Sequence, residues 1–320
     1  MPIVLHTRNI NYMENTPTLD EVKSAAQILL ANIDVQTLQN GTELPLMQAA
    51  IDAVTPDDYT NFYLRGLDYS QSELDAIYAR LPILYYYDAA FDKVLASAAN
   101  QQVPEGKVLL MHLYNLGYVV KTPTQCFGID IHHRQAERLV PHLDFCVVTH
   151  NHSDHYTLKF LTAMNKAGKK IYSNFFPSYD AYIRASSRRI EIGDLTLRSY
   201  QSDHNPHLSG FVMPFEIICH NSTAPCVIYT SGDSCNPKQL CHKSDEITFH
   251  IVHPYVGLDV VEAYTTTVKS KTVLISHLQE FHHRKEQWRW TYKDGLAAAN
   301  RLNAIGANTI VPLWGAHIMA

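Results

Sequence analysis

His150-Asn151-His152-Ser153-Asp154-His155 is the stretch that decides how this 320-residue chain reads. Three imidazoles and one carboxylate fall within six positions, directly after the apolar run Phe145-Cys146-Val147-Val148. A short apolar run of this kind predicts a buried strand, so the cluster lies where that strand leaves its sheet. Imidazole is the commonest protein ligand for zinc and related ions, and carboxylate oxygen completes such sites. With 18 histidines in the chain, one His-x-His pair would say little. Four ligand-type side chains in one strand-end loop are hard to explain as packing, and they predict a metal site.

A metal site needs further ligands from other strand ends, and the sequence offers them. Ser202-Asp203-His204-Asn205-Pro206-His207 precedes Gly210-Phe211-Val212. The β-rich run Val227-Ile228-Tyr229-Thr230 leads into Ser231-Gly232-Asp233, and Thr272-Val273-Leu274-Ile275-Ser276 leads into His277. Each is a strand-like run beside a His or Asp.

This order resembles the metallo-β-lactamase-fold superfamily of binuclear metallohydrolases: an early Asp, HxHxDH, a lone His, a Gly-Asp and a last His. Asp130, in Phe127-Gly128-Ile129-Asp130-Ile131, matches the early Asp, which in that family supports the metal loop without binding metal. Leu116-Gly117-Tyr118-Val119-Val120-Lys121-Thr122 matches the hairpin that opens the domain. The resemblance covers roughly residues 107–320. It implies an α/β fold, a four-layer αβ/βα sandwich of metallo-β-lactamase type, with the metals at one rim. Carried over, it implies a first ion on His150, His152 and His204, and a second on Asp154, His155 and His277, with Asp233 bridging. His207 rivals His204, but five residues separate His204 from Gly210, as in phosphodiesterase-type members. His207 then becomes a group beside the ligands or at the substrate. Some branches place the last His after the final strand, where this chain has Val311-Pro312-Leu313-Trp314-Gly315, so His277 keeps that role.

Two divalent ions about 3.5–4 Å apart can hold a bridging hydroxide and polarise the bond under attack. Asp154 would orient that hydroxide and carry a proton toward the leaving group. Oxygen-reducing di-iron members carry a Glu in an HxExD pattern, which this chain lacks, so hydrolysis is expected. Zinc is the first choice, with manganese and iron open, because an N/O site discriminates weakly. Past the last ligand, His277-Leu278-Gln279-Glu280-Phe281-His282-His283-Arg284-Lys285 could form a helix presenting Glu280 and His283 together. These two would handle the leaving group, and Arg284 and Lys285 would anchor a phosphate. A solvated helix start, with Phe281, Trp288 and Trp290 in packing, explains the same residues.

The rest of the chain sets limits. Hydrophobic residues at 46% suffice for a packed core, and 320 residues suit one large domain with an appendage, or two. A net charge of −5 argues against long nucleic acid as the main partner. Six cysteines without a CxxC pair, and a start (Met1-Pro2-Ile3-Val4-Leu5-His6) without a basic, then apolar leader, suggest reduced thiols in a cytoplasmic protein. No run suffices to span a bilayer. Residues 1–105 read as a helical unit of about four helices, joined at Gln101–Gly106 to a hydrolase domain over 106–320. Thr18–Glu21 and Ser70–Glu73 are capping boxes, and Pro82 interrupts the second helix. Tyr59, Tyr63, Tyr69, Tyr78, Tyr85, Tyr86 and Tyr87 would wall a substrate pocket, form a homo-oligomer interface, or pack the unit onto the sandwich. The helices would narrow access to the metals and favour a small-molecule substrate. Downstream, Leu158–Lys166 suits a helix with Leu158, Leu161 and Thr162 on its buried face, Ile190–Leu197 a hairpin, Gly295–Ile305 a helix, and Thr309–Leu313 the last strand. The expected function is metal-dependent hydrolysis of a small phosphodiester or phosphate-bearing metabolite. The alternatives are a lactone, thioester or amide hydrolase on the same site, and a non-catalytic metal-binding or sensing protein.

Overall fold

A computed structural model describes residues 16–31, 34–175, 178–185, 188–221 and 224–320. The chain start quoted above lies outside the described residues. Among the described residues, six helices precede the first strand: α1 (Leu19–Ala31), α2 (Val35–Leu38), α3 (Glu43–Asp52), α4 (Pro56–Arg65), α5 (Gln71–Arg80) and α6 (Ile83–Asn100). Both expected capping boxes form. The Thr18 amide donates to Glu21 (2.7 Å) and the Ser70 amide to Glu73 (2.8 Å). A third, Thr55 with Asp58, starts α4 with Pro56 in its first turn. That signal was present in Thr55-Pro56-Asp57-Asp58, and with it the count of about four helices would have risen.

The first sheet collects β1 (Leu109–His112), β2 (Tyr118–Lys121), β3 (Cys126–Ile129), β4 (Phe145–Val147), β5 (Lys170–Ser173) and β6 (Tyr182–Arg184). Helix α7 (Leu158–Lys166) connects β4 to β5, as parallel pairing requires. Its buried face is Phe160, Leu161 and Met164, whereas Leu158 is 62% exposed, so the expected face was rotated. The second sheet contains β7 (Arg189–Ile192), β8 (Leu195–Ser199), β9 (Phe215–Cys219), β10 (Cys226–Thr230), β11 (Ile247–Val252), β12 (Ser270–Ile275) and β13 (Thr309–Ile310). A short helix, α8 (Val260–Glu262), follows β11, and α9 (Tyr292–Asn303) covers β12 and β13. The chain ends in β14 (His317–Met319), which returns to pair antiparallel with β1. The final strand is therefore β14 and not the Thr309 segment. Three residues beside a Trp-Gly turn carry too little pattern to reveal it.

Each sheet has seven strands, ordered β14-β1-β2-β3-β4-β5-β6 and β13-β12-β11-β10-β9-β8-β7. Side chains alternate across each strand, so one face of each sheet meets the other. Leu110, Val120, Phe127, Phe145, Phe215 and Ile251 belong to that inner core. The outer faces pack against helices, and one apolar cluster runs from Val22 and Leu29 of α1 through Phe91 of α6 to Val119 and Leu313. Buried tyrosines bind the helical unit to the sandwich: Tyr86 donates to Trp314 O (2.8 Å) and stacks on its ring. Strands β3, β4 and β5 run parallel, as do β10 to β13. Their carboxyl ends form the rim that carries the site, the usual place for ligands in open α/β sheets.

Candidate metal centre

Each rim position follows from a strand end. Thr230 pairs with Ile251 and Ile251 with Leu274, so Asp233, His253 and His277 each lie two or three residues past paired positions of adjacent parallel strands. The turn into Asp233 needs a glycine: Gly232 has φ +53°, and a Cβ there would lie 2.8 Å from Val212 Cγ1 and 2.9 Å from Thr149 Cβ. From the opposite sheet, β4 delivers His150 to His155. Asp130, after β3, accepts hydrogen bonds from the Thr149 amide and hydroxyl (both 2.7 Å) and lies 3.0 Å from His155 Nδ1. It braces the loop and aims the free Nε2 of His155 inward. Asn115, in the β1–β2 turn, donates to Asp154 O (3.3 Å), and its carbonyl accepts from the His277 amide (3.0 Å).

The seven residues expected as ligands converge. Donor atoms of His150, His152, His204 and Asp233 all lie within 4.8 Å of one another, as do those of Asp154, His155 and His277. Asp233 Oδ2 is the hub, at 3.8 Å from His150 Nε2, 3.5 Å from His155 Nε2, 3.7 Å from His204 Nε2 and 3.7 Å from His277 Nε2. Bonds of about 2.1 Å in a tetrahedral shell place ligand atoms roughly 3.4 Å apart, close to these separations. His155 Nε2, which faces the carboxylates of Asp154 (3.7 Å) and Asp233 (3.5 Å), is buried with no hydrogen-bond partner. An orphaned polar atom of this kind costs about 1–3 kcal/mol, and an ion in the cluster would satisfy it. The donor set fits divalent metal. His207 is exposed and outside the cluster.

The electrostatics follow from burial and crowding. Burial opposes charge on Asp233, but His277, His155 and His253 outweigh it and hold its carboxyl well below the usual range. Asp154 behaves alike through His155 and His277. Burial and the nearby His155 keep His150 neutral, the form that binds metal.

One ligand-type residue was missed. His253 follows β11 in Val252-His253-Pro254, is 6% exposed, and groups with Asp233 and His277 within the same 4.8 Å. The signal was a His directly after the apolar run Ile247–Val252, the pattern used for His277.

The segment after His277 is not helical. His277 and Gln279 both have φ +62° and Trp288 has φ +61°, a conformation that no right-handed helix contains. Glu280 is fully buried, and its carboxylate accepts from the amides of His282 (2.5 Å) and His283 (2.8 Å). It also lies 2.6 Å from His282 Nδ1 and 2.5 Å from His283 Nδ1. Glu280 and His283 are thus brought together, but by a turn.

A cavity of about 510 Å³ opens onto the centre, lined by Asp154, His204, Asp233, His253, His277 and His283 and walled by Tyr255, Trp288 and Trp290. Among the described residues, no lysine or arginine lines it. Arg284 and Lys285 border a separate cavity with Asp52, Thr55 and Asp57, so the expected phosphate anchor points elsewhere. Nor do the seven tyrosines of the helical unit reach the metal cavity; the 282–290 segment narrows it instead.

No protein-family model matches the chain, and no curated protein does. Solved structures do. Igni18, a metallo hydrolase from the archaeon Ignicoccus hospitalis, superposes with a TM-score of 0.53 at 15% identity, over 67% of this chain and 98% of that one. A possible metal-dependent hydrolase from Veillonella parvula gives 0.50 at 16%, over 66% and 98%. CmlA, a diiron β-hydroxylase from Streptomyces venezuelae, gives 0.51 at 10%, over 78% of this chain and 60% of that one. Identities this low speak to fold alone. Two facing seven-stranded sheets, helices outside them and a His/Asp cluster at the rim give this chain the metallo-β-lactamase fold.

Proposed function

We propose that the protein is a binuclear metal-dependent hydrolase of small substrates that carry an apolar or aromatic group beside a carbonyl bond, such as a lactone, thioester, ester or amide. The observation that carries this reading is the cavity lining: ligand-type residues on its floor, Tyr255, Trp288 and Trp290 on its wall, and no lysine or arginine among the described residues. Aromatic walls favour apolar and planar groups. The phosphodiester expectation rested on the spacing from His204 to Gly210 and on Arg284 and Lys285, and those two basic residues border a different cavity.

His150, His152, His204 and Asp233 would hold one ion, and Asp154, His155, His277 and Asp233 the other. Two divalent ions, zinc by preference, would supply there a water acidified toward neutral pH and a Lewis acid for the substrate oxygen. Asp154 orients the attacking water and receives its proton. His283 stays protonated to higher pH than a free histidine, because its hydrogen bond to Glu280 outweighs its burial. It serves as the acid that protonates the leaving group. Glu280 keeps its charge despite burial, since His282 and His283 hydrogen-bond to it. Free thiols at all six cysteines suit a reducing, cytoplasmic setting.

The test is a paired assay of the zinc-loaded protein on p-nitrophenyl esters and on bis(p-nitrophenyl) phosphate, each with a chelated control. Metal-dependent ester turnover exceeding phosphodiester turnover is expected, with Arg284→Ala and Lys285→Ala nearly as active as the parent. Phosphodiester turnover that collapses in those two variants would restore the phosphate reading.

A further inference from the structure

His253 is the buried group that the ligand order leaves without a role. It directly follows β11, the strand between those that lead to Asp233 and His277. Neither of its ring nitrogens has a hydrogen-bond partner, and its ring lies flat on that of His277, with centroids 4.0 Å apart and planes at 7°. That stacking decides what His253 can do. An imidazole binds a metal along a lone pair in its own ring plane, and parallel planes at stacking distance share no point. One ion therefore cannot be bound in plane by both His253 and His277, even though their nitrogens are close.

Asp233 offers the other possibility. Its Oδ2 faces the nitrogens of His150, His155, His204 and His277, while its Oδ1 is buried without a partner, 3.4 Å from His253 Nδ1. We propose that His253 is a positioning residue for this centre. Its Nδ1–H holds the outer oxygen of Asp233, so that Oδ2 stays turned toward the metals, and its ring fixes the plane of His277. Two orphaned atoms become one hydrogen bond after a shift of a few tenths of an ångström. The inference rests on the reading of Asp233 as a ligand.

Zinc competition titrations against a chromophoric chelator, on the parent, His253→Phe and His253→Gln, separate the cases. Phenylalanine keeps the stacking but has no donor; glutamine can restore an N–H to Asp233. The parent should bind two ions, His253→Phe should weaken at least one by roughly 10- to 100-fold, and His253→Gln should recover most of that loss. Parent-like affinity in His253→Phe would reduce His253 to a stacking residue and overturn the proposal. Equal losses in both variants would show direct ligation and overturn it too. A parent that binds no ion would instead defeat the metal reading itself. Nitrogen-15 spectra of histidine in the zinc-loaded parent give a check independent of variant folding: His253 should carry its proton on Nδ1, and a proton on Nε2 would contradict the proposal.

Discussion

Asp154 keeps its charge at 8% exposure because His155 and His277 surround its carboxylate, the latter at 3.1 Å. Replacing it by Asn removes that charge and, on the proposed mechanism, one ligand and the proton acceptor together, with little change in shape. Asp154→Asn is expected to lower turnover by about 10²–10⁴-fold, measured as kcat on the best ester substrate. A variant within tenfold of the parent would remove Asp154 from the chemistry. At this scale the sequence was readable where ligands are neighbours in the chain, as in His150 to His155. His253 carried the same signal as His277, a His directly after an apolar run, but its bearing on the site shows only once β10, β11 and β12 are paired and its ring meets Asp233. Arg284 and Lys285 misled for the same reason. Charge next to a ligand in sequence need not face the ligand's cavity.

At the scale of elements, the segment from His277 to Arg289 couples the helical unit to the site. Arg289 is 4% exposed and donates to Glu280 O (2.9 Å) and Phe281 O (3.3 Å) on one side. On the other it reaches Ile51 O (3.1 Å) and Val54 O (2.8 Å), at the carboxyl end of α3. A cation there complements the carbonyls that collect at a helix carboxyl end. Arg289→Met keeps the apolar stem but removes the donor to Glu280 O, Phe281 O and Val54 O, while Ile51 O keeps the Val54 amide, so urea unfolding should show a loss of about 2–4 kcal/mol. The same variant should lower kcat, since Glu280 and His283 lose their anchor. Unchanged stability would mean that the segment is held by packing alone. The spacing of Glu280 and His283 fitted a helix equally well. Tertiary contacts decided otherwise, since Glu280 caps amides in a left-handed turn that no local pattern announces.

For the molecule as a whole, the fold was legible because its strands are apolar runs ending in chemistry, and the order of those ends is specific to one architecture. Short strands such as β14 and the exposed Leu158 turn of α7 were not, since two or three residues carry no period. Buried neutral histidines also give the chain a characteristic acid response. Burial, and then the neighbouring His282, push His132 down to about 3; burial and His242 do the same to His250. Both stay neutral when folded but take a proton near pH 6.5 when unfolded, so stability falls as pH drops from 6.5 toward 3. Raised histidines such as His155 and His277 change their contribution only above 6.5, and depressed carboxylates such as Asp233 only below about 4. Between pH 6.5 and 4.5, His250→Phe should therefore flatten the stability slope of the chelated protein by about 1 kcal/mol per pH unit. An unaltered slope would show that His250 is protonated in the folded state. The binuclear centre is tested by metal content, measured by mass spectrometry after equilibration with zinc and gel filtration. Two ions per chain are expected, falling to about one in His277→Ala. A parent that retains no zinc, or a His277→Ala variant that still retains two, would contradict it.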